Sequence, residues 1–354
     1  MPAAISTRFS ARWKKKTKKV IPHVSNRLML ALDAGGLVLP ADGALSVLLP
    51  TPETDLTALP ADRVQIVQPF KPHFDHFQRL GYDCAAQSAD PCAAAIVCLP
   101  RAKALARALV HQACARSQGV VVVDGAKTDG IDSQLKAVRS RVAVSGPLSK
   151  AHGKIFWFTA SAADFADWQA PVTQLVDGFT TAPGVFSADG IDPASVLLAD
   201  TLPHKLGRHV VDLGAGWGYL SARILANPKV ETLDLVEADH TALNCARQNI
   251  SDPRARFHWA DARGWQATGP VDTVVMNPPF HMGRTADPSL GRDFIETAAR
   301  LLSRSGGLWM VANRHLPYEA TLATVFGQVQ EIAGDNRFKV LHATRPAHTS
   351  RARR

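Results

Sequence analysis

Short apolar runs alternate with amphipathic stretches along most of the chain. In the first half, extended apolar runs predict strands at Leu28–Leu32, Ala44–Leu49, Val64–Val67, Ala93–Leu99, Val120–Val123 and Lys154–Phe158. Between these runs, residues 103–115 repeat apolar side chains at helical spacing, which predicts a helix. Strands that alternate with helices are typical of an α/β fold built on a parallel sheet.

The second half repeats this alternation and contains segments that echo the first half. The echoing pairs are Ala95–Pro100 with Thr273–Pro278, Gly119–Ala126 with Gly307–Arg314, and Gly153–Phe156 with Arg337–Val340. Because these pairs lie at similar separations along the chain, we predict a duplicated fold of two α/β domains in tandem. The alternative is that two unrelated parallel sheets share β-rich runs.

Changes in composition mark the borders of these domains. We predict a basic tail at 1–20, a first domain at 21–165, a linker at 166–183, a second domain at 184–344 and a basic tail at 345–354. The turns of the first domain contain no glycine-rich phosphate loop. We therefore expect the chemistry of the protein to lie in the second domain.

The composition narrows the class of protein. Hydrophobic residues make up 46% and charged residues 20% of the 354 positions, which excludes a wholly disordered chain. No apolar run reaches the ~18 residues needed to cross a bilayer, and no apolar segment of a secretion signal follows the basic start. The five cysteines form no CxxC pair. We expect a cytoplasmic protein with free thiols.

The net charge of +9 is concentrated at the two ends. Residues 1–20 contribute +7 and residues 345–354 contribute +4, so the remaining body is slightly acidic. Basic tails suit a polyanionic partner, because Lys and Arg displace the counterions condensed on phosphates. A merely solvated tail and an organellar transit segment are the alternatives.

A glycine-rich turn follows the predicted strand that ends at Asp212. Gly214, Gly216 and Gly218 alternate with other residues, beginning with Ala215, and glycines let a backbone approach a ligand closely. A dinucleotide site favours GxGxxG, in which a pyrophosphate meets a helix N-terminus. A carboxylate at the strand end suits an ammonium group better than a phosphate. The loop therefore favours S-adenosylmethionine (SAM) over NAD, with a purely structural turn as the alternative.

Two further acids follow the next two predicted strands. Glu237 can accept both hydroxyls of a ribose, and Asp261 can accept the amino group of an adenine. With the adjacent Ala238 and Ala262, these acids complete a predicted SAM site, because the carboxyl ends of parallel strands share one edge of a sheet. Asp239 precedes a helical run and is better explained as its N-cap.

The segment Asn277-Pro278-Pro279-Phe280 follows the fourth predicted strand. The amide carbonyl of Asn277 and the backbone carbonyl of Pro278 can accept both hydrogens of a planar exocyclic amine. Pro278 has a fixed φ and no N–H, which helps to aim its carbonyl. Phe280 can stack on a base, a contact worth roughly 1–3 kcal/mol. The segment predicts methyl transfer to such an amine without a metal, and a plain proline turn is the alternative.

These motifs resemble those of class I SAM-dependent methyltransferases that act on planar amino groups, and more narrowly the RsmC/RlmG family of ribosomal RNA guanine-N2 methyltransferases. The resemblance rests on Gly184–Asp192, Asp212–Gly218, Asn277–His281, Val311–Tyr318 and Arg337–Val340. It implies two tandem Rossmann-like methyltransferase domains, of which the N-terminal one is degenerate, binds no cofactor and orients RNA. It also implies methylation of a guanine N2 amine in 16S ribosomal RNA, with Asn277, Pro278 and Phe280 at the target amine.

Several alternatives stay open. The same Asn-Pro-Pro-Phe motif suits methylation of adenine N6 or of a protein glutamine, and a non-catalytic RNA-binding assembly factor can share the fold. His281 and Arg314 are candidate RNA contacts, although a histidine at a helix start explains His281 as well. Phe186, Ser187 and Asp192 are candidates for a lid or for the methionine end of SAM. The expected partner is ribosomal RNA or a ribosomal subunit, with no membrane and no metal, and we expect a monomer.

Overall fold

A computed structural model describes residues 27–33, 36–171, 173–279, 281–282, 285–286 and 288–347. These residues form two seven-stranded sheets, one after the other along the chain. The basic segment 1–20 and residues 348–354 lie outside the described residues. Arg345 and Pro346, which the sequence places in the second basic tail, are the last residues of a strand.

The first domain is a sheet with helices on its faces. Its elements are α1 (Arg27–Asp33), β1 (Leu45–Leu48), β2 (Val64–Val67), α2 (Lys71–Arg79), β3 (Asp83–Ala85), β4 (Ala94–Cys98), α3 (Lys103–Arg116), β5 (Val121–Ala126), α4 (Ile131–Arg139), β6 (Ser145–Lys150) and β7 (Gly153–Phe158). The strand order is β3-β2-β1-β4-β5-β7-β6, and only β7 runs antiparallel to its neighbours. The central strands are continuous apolar runs because both faces of the sheet are covered.

Five of the six strands predicted in the first half are confirmed, and one prediction is wrong. The run Leu28–Leu32 lies within α1 rather than in a strand. This segment is built from leucine, methionine and alanine, which favour helix, and it contains no β-branched residue. Leu28 and Ala31 are buried on one side of the helix, and Arg27 donates hydrogen bonds to Asp124 on β5. Apolar length alone did not distinguish the two structures.

The predicted linker contains regular structure. A 3-10 segment, Ala162–Trp168, packs on α3, and it is followed by the hairpin β8 (Gln174–Val176) and β9 (Phe179–Thr181). The side chain of Asn249 accepts a hydrogen bond from Thr180 N (2.7 Å) and donates one to Thr180 O (2.9 Å). These bonds attach the hairpin to the second domain.

The second domain repeats the first. Its elements are α5 (Pro193–Thr201), β10 (His209–Leu213), α6 (Tyr219–Leu225), β11 (Thr232–Glu237), α7 (His240–Asn249), β12 (Ala255–Trp259), β13 (Val271–Met276), β14 (His281–Met282), β15 (Thr285–Ala286), α8 (Pro288–Leu301), β16 (Leu302–Asn313), α9 (Tyr318–Val325), β17 (Phe326–Gly334) and β18 (Phe338–Pro346). The main sheet has the order β12-β11-β10-β13-β16-β18-β17, and β18 is antiparallel to its neighbours.

The two strand orders are the same when only the strands of each seven-stranded sheet are numbered in chain order. The echoing sequence segments fall on equivalent strands: β4 with β13, β5 with β16, and β7 with β18. The prediction of two tandem Rossmann-like domains is therefore confirmed.

The domains meet at the carboxyl ends of β2 and β11. Lys71 N donates to Ala238 O (2.8 Å), and His240 N donates to Pro69 O (2.9 Å). The indole N–H of Trp259 is shared between Pro69 O (3.0 Å) and Ala238 O (2.9 Å). This contact brings the start of α2 next to the edge of the sheet where the sequence predicts a ligand site.

Candidate functional site

The glycine-rich turn connects β10 to α6 and has the conformation that its residues predict. Gly214 and Gly216 have φ of +82° and +56°, values that residues other than glycine rarely adopt. An added Cβ at Gly216 would meet no atom within 4 Å, so this glycine faces open space. Gly218, with φ of +93°, packs against Ile250, and an added Cβ there would lie 2.9 Å from Ile250 Cδ1. Gly218 thus serves the packing of α6 on α7.

The backbone N–H groups of this turn are largely satisfied within the protein. Gly214 N and Ala215 N donate to Val236 O (2.8 and 3.2 Å), Gly216 N donates to Glu237 Oε2 (2.8 Å), and Gly218 N donates to Ala215 O (3.0 Å). A dinucleotide pyrophosphate needs such groups as donors. Their internal use fits a ligand without phosphates.

Glu237 lies at the end of β11 and lines the cleft beside the turn. Besides Gly216 N, its carboxylate accepts a hydrogen bond from Asp239 N (2.7 Å). Burial raises the pKa of Glu237 to about 7. Each carboxylate oxygen can accept a second hydrogen bond, so Glu237 can receive a ribose diol. Asp239 is the N-cap of α7, as predicted, and accepts from Thr241 N (2.8 Å).

Asp261 follows β12 and lines the same cleft as Ala238 and Ala262. Its partner is Arg263, which the sequence analysis did not single out: Arg263 Nη2 lies 2.6 Å from Asp261 Oδ2 and Arg263 Nε 3.0 Å from Asp261 Oδ1. Burial acts to raise the pKa of Asp261, but the hydrogen bonds and charge of Arg263 keep it below its usual value. The carboxylate therefore stays ionised as an acceptor.

Asp212 is fully buried beneath the turn, and it is not among the described residues that line the cleft. Its Oδ2 accepts a hydrogen bond from Ser221 Oγ (2.6 Å), whereas Oδ1 has no partner among the described residues. Burial raises the pKa of Asp212 to about 7. A direct contact between this carboxylate and a cationic group stays a prediction.

The orientation of the Asn277 side chain is fixed by its neighbours. Asn277 Nδ2 donates to Asp192 Oδ2 (2.8 Å) and to Ser195 Oγ (2.9 Å). A carboxylate oxygen accepts hydrogen bonds, so the nitrogen side of the amide must face Asp192. The amide oxygen is left as an acceptor. Asp192 is also the N-cap of α5, where it accepts from Ser195 N (2.9 Å).

Asn277 lines two adjacent spaces. A cleft of about 550 Å³ has Pro278 and Pro279 in its lining. A small cavity of about 40 Å³ adjoins it, lined by Ala215, the predicted methionine-end candidates and Ser195. Gly214, Gly216, Phe186 and Asn277 line both spaces. The larger volume is typical of ligand sites. Its lining includes part of the predicted site, namely Gly214, Gly216, Glu237, Ala238, Asp261, Ala262, Asn277, Pro278 and Pro279.

Three predicted site residues remain, namely Phe280, His281 and Arg314. Phe280 is outside the described residues. His281 is in the short strand β14, paired with β15, so the prediction of a helix start is wrong; the helix begins at Pro288. Arg314 follows β16 as predicted, but its guanidinium donates to Glu331 Oε1 (2.8 Å) and Phe338 O (3.2 Å). These bonds fix Arg314 on the hairpin of β17 and β18.

The residues present fit SAM. Acids for a ribose and an adenine line the cleft, the turn offers an open backbone at Gly216, and its N–H groups are used in the manner of a site without phosphates. In the described part of the chain, no group of three or more His, Cys, Asp and Glu could bind a metal ion. None of the described helices combines the length and apolar character needed to cross a membrane.

Comparison with known proteins agrees with this geometry. The family model described as "Methyltransferase small domain" matches residues 177–342. The "Ribosomal RNA small subunit methyltransferase C" of Shewanella baltica is 30% identical over 284 residues, covering 77% of this chain and 78% of the relative. The protein of the same name from Shewanella piezotolerans is 32% identical over 260 residues, covering 69% and 75%.

A solved structure shows the same fold along most of the chain. It is described as a T. thermophilus 16S rRNA N2 methyltransferase (RsmC) in complex with AdoMet and guanosine. The TM-score is 0.72 at 23% identity, and the match covers 87% of this chain and 90% of that one. Together with the curated relatives, these findings confirm the resemblance seen in the sequence: the chain belongs to the ribosomal RNA small subunit methyltransferase C family.

Proposed function

We propose that this protein methylates the exocyclic N2 amine of a guanine in small-subunit ribosomal RNA, with SAM as the methyl donor. The proposal depends above all on the Asn277 amide, whose nitrogen is bound by Asp192 and Ser195. The amide oxygen is thereby left as an acceptor beside Pro278 and Pro279 in the cleft. The names of the curated relatives support ribosomal RNA as the substrate.

The cofactor site is assigned to residues at three adjacent strand ends. Glu237 accepts the ribose hydroxyls, Asp261 accepts the adenine amino group, and Gly214 and Gly216 allow the ligand to approach the backbone. When bound, SAM supplies a methyl group made electrophilic by a sulfonium. A compact cation without phosphates is compatible with a turn whose N–H groups already have partners.

The chain contributes orientation rather than a strong base. Asn277 Oδ1 and the carbonyl of Pro278 accept the two hydrogens of the amine, which directs the nitrogen lone pair out of the plane of the base. Proximity and orientation can supply much of a rate acceleration. The amine releases its proton once it becomes cationic, and water accepts it. A base within a duplex cannot reach Asn277, so the target guanine must be unpaired or flipped out, at a cost of a few kcal/mol.

The basic segments at 1–20 and 345–354 and the cofactor-less first domain then provide sequence-independent contacts to RNA phosphates. Ribosomal subunits as substrates imply a cytoplasmic location. Adenine N6 and protein glutamine remain competing acceptors for the same motif, because both present a planar amine.

Nucleoside analysis tests the proposal. The purified protein is incubated with labelled SAM and either small ribosomal subunits or deproteinised 16S ribosomal RNA, and the RNA is digested and separated. We expect label in N2-methylguanosine, and none when Asn277→Ala replaces the wild type. Label in N6-methyladenosine or in ribosomal protein would assign the chain to another acceptor, and SAM binding without any transfer would favour an assembly factor.

A further inference from the structure

Helix α2 brings basic side chains of the first domain to the active-site cleft of the second. His73, His76 and Arg79 follow one another at intervals of three residues, which places them along one face of a helix. All three line the cleft that Asn277 and Pro278 also line. The catalytic domain therefore does not enclose its cleft alone.

The charges on α2 are not equally available. The ammonium of Lys71 forms an ion pair with Asp75 and lies 5.2 Å from the ring centroid of Trp259, at the domain contact. Arg79 is exposed, and its Nε donates to the backbone carbonyl of Asp75 (3.0 Å). Within the described residues, Arg79 forms no ion pair with a carboxylate. Its terminal nitrogens remain available to a ligand.

His73 and His76 have different surroundings from Arg79. Burial lowers the pKa of His73, although the nearby carboxylate of Glu53 acts in the opposite direction. Glu53 lines the cleft as well. His76 is half-buried, with its ring edge-on to Phe77 at a centroid distance of 5.1 Å. An imidazole ring has at least one N–H donor, so His76 can assist a neighbouring cation in binding an anion.

SAM does not account for this basic face. It has no phosphate, and its one carboxylate belongs to the methionine end. The candidate residues for that end, Phe186, Ser187 and Asp192, line the small cavity, and no residue of α2 is in the lining of that cavity. RNA has one negative charge per nucleotide. A nucleotide whose base reaches Asn277 brings the adjacent backbone phosphates to the wall of the same cleft. A bidentate guanidinium is well suited to a phosphate.

We propose that Arg79, assisted by His76, binds a backbone phosphate beside the target nucleotide, so that the first domain positions the RNA in the active site of the second. This inference depends on the proposed function in one respect, namely that the substrate is RNA. It assigns to α2 a role in substrate binding and none in cofactor binding.

The test compares Arg79→Ala with Arg139→Ala. Arg139 is also exposed, at the end of α4 in the same domain, and it does not line the cleft, so both variants lose one surface charge. Affinity for deproteinised 16S ribosomal RNA is measured at several salt concentrations without SAM, and SAM affinity is measured separately by calorimetry. We expect Arg79→Ala to weaken RNA binding by about three- to tenfold and to reduce the salt slope by about one, with SAM affinity unchanged. Arg79→Lys, which keeps the charge, should retain the slope.

Equal RNA affinity and equal salt slope for Arg79→Ala and Arg139→Ala would overturn the inference. So would a loss of SAM affinity in Arg79→Ala of the same size as its loss of RNA affinity, since it would place Arg79 at the cofactor. Failure of the proposed function is recognised differently, as the absence of N2-methylguanosine in the wild-type reaction. The binding measurements need no methyl transfer, so they decide the role of Arg79 in either case.

Discussion

The two domains have the same strand order and differ at the positions where chemistry would occur. Their strand pairings allow a comparison position by position. In the second domain Asp212 pairs with Val275 on β13, and in the first domain Leu48 pairs with Val97 on β4. Val97 and Val275 are equivalent in the echoing segments, so Leu48 occupies the position of Asp212.

The turn after this strand also lacks the residues that form the predicted cofactor site in the second domain. Counting from the equivalent strand ends, Pro50 and Pro52 stand where Gly214 and Gly216 stand in the second domain. Proline has a φ of about −65° and no N–H. It cannot adopt the positive φ of Gly216 or donate the hydrogen bond that Gly216 N makes to Glu237.

The first domain also lacks the polar site residues at two further strand ends, those of β2 and β4. Leu48 pairs with Val67 and Asp212 pairs with Leu235, which places Pro69 at the position of Glu237. Leu99 stands at the position of Asn277. The sheet is unaffected, because it depends on buried apolar strands, whereas the lost residues lie at the edge where the strands end. A duplicated domain can thus lose its cofactor site and keep its fold, and its edge can become the wall of its neighbour's cleft.

The largest effect is expected when Asn277 of the second domain is replaced by leucine, the residue at the equivalent position of the first domain. In Asn277→Leu, the amide acceptor is lost and an apolar side chain faces the target amine. We expect kcat to fall by about 100- to 1,000-fold, the size of effect seen when one oriented polar contact to a reacting group is removed. Methyl transfer is measured by nucleoside analysis and SAM affinity by calorimetry. SAM affinity should be nearly unchanged; a normal kcat would show that Asn277 does not contact the amine.

A second exchange tests the turn. Gly216→Pro introduces proline, the residue at the equivalent position of the first domain, at a site where φ is +56°. Proline cannot adopt this φ and has no N–H, so the turn must rearrange and Glu237 loses a hydrogen bond. We expect SAM affinity to fall by about 100-fold. Gly216→Ala is the matched variant, since it keeps the N–H and adds only the strain of the left-handed conformation, about 1–2 kcal/mol. If both variants bind SAM as the wild type does, the turn is not part of the cofactor site.

The sequence predicted the features that depend on local pattern. Asp212 and Glu237 lie at the ends of apolar strands, and Asp261 and Asn277 come just after such strands. Parallel strands bring these ends to one edge of the sheet whatever the loops between them. The duplication was visible because equivalent strands keep similar apolar runs. The wrong prediction for Leu28–Leu32 shows the limit of this reasoning, since a short apolar run fits a buried helix equally well.

Contacts between distant segments could not be predicted in this way. The pairing of Asn277 with Asp192 and Ser195 joins residues more than 80 positions apart. The docking of Pro69 beside Ala238 depends on how the two domains pack. From the sequence, Asp192 was expected only as a candidate for a lid or for the methionine end of SAM, and no local pattern reveals that its carboxylate orients an amide on another element.

A third prediction concerns the orientation of the Asn277 amide. The first domain has no such amide, because Leu99 stands at the equivalent position. In Asp192→Ala, Asn277 Nδ2 keeps only the Ser195 hydroxyl as a partner. A hydroxyl can also donate to the amide oxygen, so the amide is no longer held in one orientation. We expect kcat to fall by about tenfold with little change in SAM affinity, since misplacing a reacting group is costly even when binding is retained. Stability should also fall by about 1 kcal/mol through loss of the N-cap.

Two matched variants separate orientation from capping. Asp192→Asn keeps an acceptor oxygen and an equally good N-cap, so kcat should return close to the wild-type value. Ser195→Ala removes the other acceptor of Asn277 Nδ2 but leaves the capping bond, which uses the backbone N–H of Ser195. It should lower kcat modestly without the loss of stability. If Asp192→Asn is as impaired as Asp192→Ala, the charge of Asp192 is required rather than its acceptor.

The last prediction concerns Glu237, for which the first domain has the non-titrating Pro69. Burial raises the pKa of Glu237 to about 7, and hydroxyl donors from a ribose stabilise the ionised form. Ligand binding is then linked to loss of a proton, so affinity should fall as the pH drops below 7. Between pH 8 and pH 6 we expect a decrease of about tenfold.

The choice of probe isolates this carboxylate from the titrating amino group of SAM. 5′-Methylthioadenosine has the adenine and the ribose diol but no amino acid, so its calorimetric affinity reports on the nucleoside half of the site alone. In Glu237→Gln the affinity should be lower at pH 8 and nearly independent of pH, because the side chain no longer titrates. A wild-type profile that is flat, or that rises toward pH 6, would mean that the ribose does not depend on the ionised Glu237. A slope that persists in Glu237→Gln would assign the proton to Asp212, whose burial also raises its pKa to about 7.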